Sequence, residues 1–109
     1  MRKPSPKTEL RITDQRRIRD GVEYHLACEG ARLTVHVHPT QNEIPGWRIG
    51  ASIRSGVGME AVHLDEVGAS RTDTFRALAS TWQGDARCRD LSMFDWEAVE
   101  RLLTSVRAL

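Results

Sequence analysis

A chain of 109 residues with 39% hydrophobic and 28% charged residues has the composition of a water-soluble globular protein, and its length suits one compact domain that buries roughly two-thirds of its unfolded surface. No apolar run approaches the roughly 18 to 20 residues that cross a bilayer, so no membrane role is expected, and the basic N-terminus MRKPSPKTEL lacks the apolar stretch of a secretory signal. Two cysteines sixty positions apart suit reduced thiols better than a disulfide framework, so a cytoplasmic location is the expectation.

The net charge of +1 hides an asymmetry. Residues 1–19 carry seven bases and two acids, whereas the remainder carries nine bases and thirteen acids. Residues 1–9 read as a flexible basic N-terminal arm, in which Arg2, Lys3 and Lys7 can attract an anionic partner at long range, and 10–109 as a single α+β domain. A solubilising tail is the other reading of the same arm.

In chain order, Leu10 and Ile12 alternate like a short strand to be followed by a turn or a helical turn, the other reading being a short helix capped by Thr13 and ending at Gly21. In 22–28, Val22, Tyr24, Leu26 and Cys28 share one face, and in 31–38 Ala31, Leu33, Val35 and Val37 do the same. Glu29-Gly30 has the length of a two-residue hairpin loop. The resulting register sets Cys28 against Ala31, Leu26 against Leu33, Tyr24 against Val35 and Val22 against Val37, apolar on apolar throughout. A third clear strand, GWRIGASIRS, points Trp47, Ile49, Ala51 and Ile53 inward. The glycine-rich turn SGVG leads to MEAVHLDEV, a fourth strand with Val62 and Leu64 inward or else a short helix. The letters of a dinucleotide fingerprint in Gly56–Ala61 lack the strand-helix-strand setting that fingerprint needs.

Two helices close the chain. Ser70 with Asp73 resembles a capping box, Phe75, Leu78, Ala79 and Trp82 form a helical stripe, and Gly84 suits the stop. Asp95 can cap the last helix while Phe94 staples against Val99, and Trp96, Val99, Leu102, Leu103 and Val106 form its core face. The fold class is therefore α+β: an antiparallel β-meander of three to five strands with two C-terminal helices packed on one face, a two-layer sandwich.

If the apolar parity faces the helices, the opposite parity faces away from them. That face collects all four histidines, His25, His36, His38 and His63, with Arg32, Arg48 and Arg54; Glu23 falls opposite His36, and Arg48 can meet Asp65 across strands. One reading is a solvated sheet surface. A second is an anion-binding surface made of Arg32, Arg48, Arg54, His25, His36 and His38 together with the arm. No aromatic residue is left on that face to stack bases, so any nucleic-acid binding there should be electrostatic and salt-dependent. A third reading is a metal site, since two histidines at i and i+2 on a strand can supply two ligands.

Gly30, His36, His38, Glu43 and Gly50 reproduce the spacing of the first cupin motif, and this stretch of 21 residues resembles that family. The resemblance implies a β-barrel with His36, His38 and Glu43 as metal ligands. The chain departs from the family elsewhere: the second motif is not recognisable, Pro45-Gly46 interrupts the strand that should follow the glutamate, and helices stand where a barrel needs strands. Cys88, between Arg87 and Arg89, has no histidine placed beside it and reads as a bystander thiol. The reading carried forward is a small non-catalytic binding module, needing no cofactor, that engages an anionic partner, nucleic acid first, through the open face and the arm. A protein-interaction or homodimerisation module using the same face or a sheet edge is the alternative.

Overall fold

Alternation of apolar and polar side chains commits five segments to one antiparallel sheet. The computed structural model describes residues 10–28, 31–40, 45–55, 62–84 and 95–109; residues 1–9, expected as an arm, Glu29-Gly30 and 56–61, expected as turns, and Glu43, Cys88 and Phe94 lie outside the described residues. The strands are β1 (Arg11–Ile18), β2 (Gly21–Cys28), β3 (Ala31–Pro39), β4 (Trp47–Ser55) and β5 (Val62–Gly68). They lie side by side in the order β1-β2-β3-β4-β5, a meander. Two helices follow, α1 (Arg71–Gly84) and α2 (Trp96–Ser105). No helix among the described residues is long and apolar enough to cross a membrane.

Between β2 and β3 the register is the one that the apolar pattern demands: Val22 faces Val37, Tyr24 faces Val35, Leu26 faces Leu33 and Cys28 faces Ala31. A slip by one residue would turn the whole apolar set to water. β4 continues the pattern, with Leu33 opposite Ile53, Val35 opposite Ala51 and Val37 opposite Ile49. Tyr24, Leu26, Leu33, Val35, Val37, Ile49, Ala51 and Ile53 are buried, Val22 is half-buried, and the buried set meets Phe75, Leu78, Ala79 and Trp82 of α1 and Trp96, Val99 and Leu103 of α2. α1 lies over β4 and β5. Trp82 and Trp96 stack at 5.9 Å between ring centroids, and Phe75 tilts against Trp96 at 6.1 Å, so three large rings join the two helices.

The caps follow from local chemistry. The Ser70 hydroxyl accepts from the Asp73 amide at 3.1 Å, satisfying one of the donors that a helix start leaves open, and the Thr74 hydroxyl donates to the Ser70 carbonyl at 2.5 Å. Thr74 is buried because Gly68 has no side chain: a Cβ there would collide with its hydroxyl. Asp95 accepts from the amides of Glu97 and Ala98. The Arg76 guanidinium donates twice to Glu100, at 2.9 and 3.1 Å, linking the exposed sides of α1 and α2. This bond holds the Glu100 carboxyl below its ordinary range.

Two sequence expectations need revision. β1 is an eight-residue strand, without the helical turn, because its polar run pairs with β2 along its length. The irregularity between Ile12 and Asp14 is a bulge, and Thr13, rather than capping a helix, sends its hydroxyl to the His25 carbonyl at 3.2 Å. Within MEAVHLDEV the described residues from Val62 form the expected strand, with Leu64 paired to Ala51. Val106 is 36% exposed instead of part of the core. There the chain leaves the helix: the Arg107 amide donates to Thr104 and the Ala108 amide to Leu103, with Arg107 in the left-handed region at φ 64°. Buried Ala108 takes the place on the core that the helical stripe assigned to Val106.

Candidate anion-binding face

The sheet carries its helices on one side only, and the other side presents the opposite parity of every strand. Reading across β2, β3 and β4, the open face is a set of transverse rows: Ala27, Arg32 and Arg54; His25, Thr34 and Ser52; Glu23, His36 and Gly50; Gly21, His38 and Arg48. β1 adds Arg11, Asp14 and Arg16 opposite Ala27, His25 and Glu23. β5 adds His63, Asp65 and Val67 opposite Ser52, Gly50 and Arg48. All six folded-region residues assigned to anion binding from sequence therefore share this face, and Glu23 stands opposite His36 as the register required.

The face divides into two ends of different chemistry. At one end three imidazoles are layered: the His36 ring lies between those of His38 and His63, at 5.5 and 5.6 Å between centroids and at 18° and 11° between planes. His36 can lie flat because position 50 is glycine; a Cβ there would run into the ring itself. The His63 ring also meets the Ser52 hydroxyl at 2.8 Å through Nδ1. Burial of its ring, reinforced by the neighbouring His38 and His63, holds the His36 pKa below the ordinary histidine value, against smaller opposing pulls from Glu23 and Asp65.

Acids are interleaved at this end and through the middle. Asp65 lies 4.0 Å from Arg48 and 3.9 Å from His63. Glu23 holds the His25 ring at 2.7 Å, and Asp14 lies 3.6 Å from Arg16. Each acid on the described open face thus has a basic neighbour, and Arg48, His25 and Arg16 are in turn partly neutralised.

The opposite end has no such compensation. Arg11, Arg32 and Arg54 occupy one transverse row around Ala27, whose small side chain leaves a concavity; His25, Thr34 and Ser52 line its near side. None of the three guanidiniums has an acidic partner among the described residues. Arg32 and Arg54 are directly opposite each other on adjacent strands, an arrangement that two like charges disfavour.

The sequence-assigned set is therefore split. Arg32, Arg54 and His25 come together at the concavity, whereas Arg48, His36 and His38 lie at the far end among Asp65, Glu23 and His63. Arg2, Lys3 and Lys7 fall outside the described residues. Arg11 is the residue that sequence reasoning missed; it sits between Leu10 and Ile12, so its parity was readable once β1 was recognised as pairing with β2.

For the metal reading, no group of three His, Cys, Asp or Glu among the described residues is placed to hold a metal ion. Glu43, the third ligand in the cupin resemblance, lies outside the described residues. The open five-stranded meander with helices on one face is also not the barrel that the resemblance implies. The chain matches no protein-family model, and no curated protein or solved structure matches it either.

Proposed function

We propose that the protein is a non-catalytic module that binds an anionic partner, nucleic acid first, across the open sheet face. The observation that carries this reading is the row of Arg11, Arg32 and Arg54, three guanidiniums around one concavity with no acid beside them among the described residues. Guanidinium presents a planar fork of donors that matches phosphate oxygens in pairs. The basic arm, with Arg2, Lys3 and Lys7, adds charge that steers a polyanion toward the domain.

The aromatic residues support a backbone reader and not a base reader. Tyr24, Trp82 and Trp96 are buried on the helix side, and Trp47 faces that side beneath the Arg71 guanidinium, 4.9 Å from its ring centroid. Bases have no ring to stack on among the described open-face residues apart from the imidazoles. Affinity then comes from phosphate contacts, with little sequence preference, and falls with salt.

Fluorescence anisotropy with a labelled mixed-sequence single strand and the matching duplex, titrated across salt concentrations, tests the reading. Three phosphate contacts on a single strand give a slope of roughly −2 in log affinity against log salt. No binding to either probe at low salt would remove nucleic acid as the partner. A second reading draws on β5, an edge strand on which Val67 is 51% exposed beside Arg48. Pairing of this edge with a second copy or a partner chain predicts a mass in light scattering that rises with protein concentration and ignores salt.

A further inference from the structure

Within the open face, the three arginines around Ala27 differ from an ordinary basic patch. Arg11 stands on β1, Arg32 on β3 and Arg54 on β4, while Ala27 on the intervening β2 forms the floor between them. A basic patch on a wide surface disperses its charges and mixes in acids, as the rest of this face does with Arg16 and Asp14 and with Arg48 and Asp65. Here all three arginines line one hollow, whose wall also includes Thr34 and Ser52, the Ser52 hydroxyl being bonded to His63. The fold also carries a cost: Arg32 and Arg54 are like charges at directly paired positions, which lowers stability unless something anionic sits between or above them.

We propose that this hollow is a discrete site for one phosphoryl group, held by Arg11, Arg32 and Arg54, a proposal that rests on the anion-binding reading above and narrows it to a place and a chemical class. A phosphate carries oxygens enough to accept from three guanidiniums at once, and its charge relieves the repulsion between Arg32 and Arg54. Ala27 keeps the floor between the three arginines free of a long side chain. The phosphoryl group can belong to a nucleic-acid terminus or to a small phosphorylated molecule; both share the chemistry that the site recognises.

The site makes two effects of opposite sign, which a merely structural role for the arginines does not. Arg54→Thr removes the like-charge pair at a strand position where threonine is well suited, so in chloride the variant melts higher than the native protein, by about 2–5 °C. Inorganic phosphate at low millimolar concentration and matched ionic strength raises the melting temperature of the native protein, by about 5 °C near saturation, and leaves that of Arg54→Thr unchanged. Arg32→Thr is the second variant and behaves alike.

The experiment is this thermal comparison, with anisotropy of a single-stranded oligonucleotide, with and without a terminal phosphate, measured in parallel. A phosphate-dependent rise in the native protein alone supports the site. No rise, or an equal rise in both variants, overturns it even where the oligonucleotide binds, in which case the wider face reading stands without this site. Phosphate stabilisation with no binding of either oligonucleotide keeps the site, assigns it to a small phosphorylated molecule and ends the nucleic-acid reading. Tighter binding of the terminally phosphorylated strand keeps both and identifies the source.

Discussion

Both ends of the open sheet face carry basic side chains, and they differ in how these are neutralised. At the histidine end, Arg48 has Asp65 at 4.0 Å, and the His36 ring, over Gly50, lies between those of His38 and His63. At the arginine end, Arg11, Arg32 and Arg54 surround Ala27 with no acid among the described residues. The first end satisfies itself and behaves as structure. The second holds charge that no acid among the described residues satisfies. Counting basic residues on a face does not separate these cases, whereas asking which of them already has a counter-charge does.

The largest expected effect separates the ends by binding. Arg32→Ala with Arg54→Ala lowers affinity for a mixed-sequence oligonucleotide about 30-fold or more at low salt. Arg48→Ala with Asp65→Ala removes one charge of each sign from the histidine end and changes affinity by less than about twofold. Anisotropy titrations of both double variants check this, and equal losses would break the comparison.

Next in size is the glycine under the imidazole. Gly50→Val puts a branched side chain where the His36 ring lies, so the stack must open, and the fold loses about 1–3 kcal/mol by chemical denaturation. Oligonucleotide affinity, referred to the folded fraction, stays close to that of the native protein, since the arginine row is untouched.

A smaller effect is a pH dependence of stability. The His36 pKa is lowered in the folded protein, so between its folded value and the unfolded value of about 6.5 the unfolded chain holds more protons. The stabilisation by neutral His36 is complete above that unfolded value and is lost as pH falls through the folded one. The melting temperature therefore declines as pH drops below about 6.5. His36→Gln makes that decline shallower, and an unchanged decline in the variant would remove His36 as its cause.

Much of this was legible in the chain, for a definite reason. β2, β3 and β4 are covered on one side and wet on the other, so period-two alternation records both their register and the membership of the open face. β1 was harder because its burial is low along its length, being an edge strand with Gln15 and Arg17 exposed even on the helix side. The bulge at Thr13 then breaks the two-residue period that would have revealed the rest. The division of the face into two ends was legible only in part: alternation already let Asp65 meet Arg48 across strands, whereas Arg11 beside Ala27 needs β1 paired along β2.

The account stands on the arginine end as the place where an anion binds, and a two-dimensional amide NMR titration with a mixed-sequence single strand, at low and then raised salt, addresses that claim residue by residue. Perturbations centred on residues 11–13, 25–27, 32–34 and 52–54 that fade with salt are the expected result. Perturbations confined to residues 36–38 and 63–67, or none at all, would contradict it.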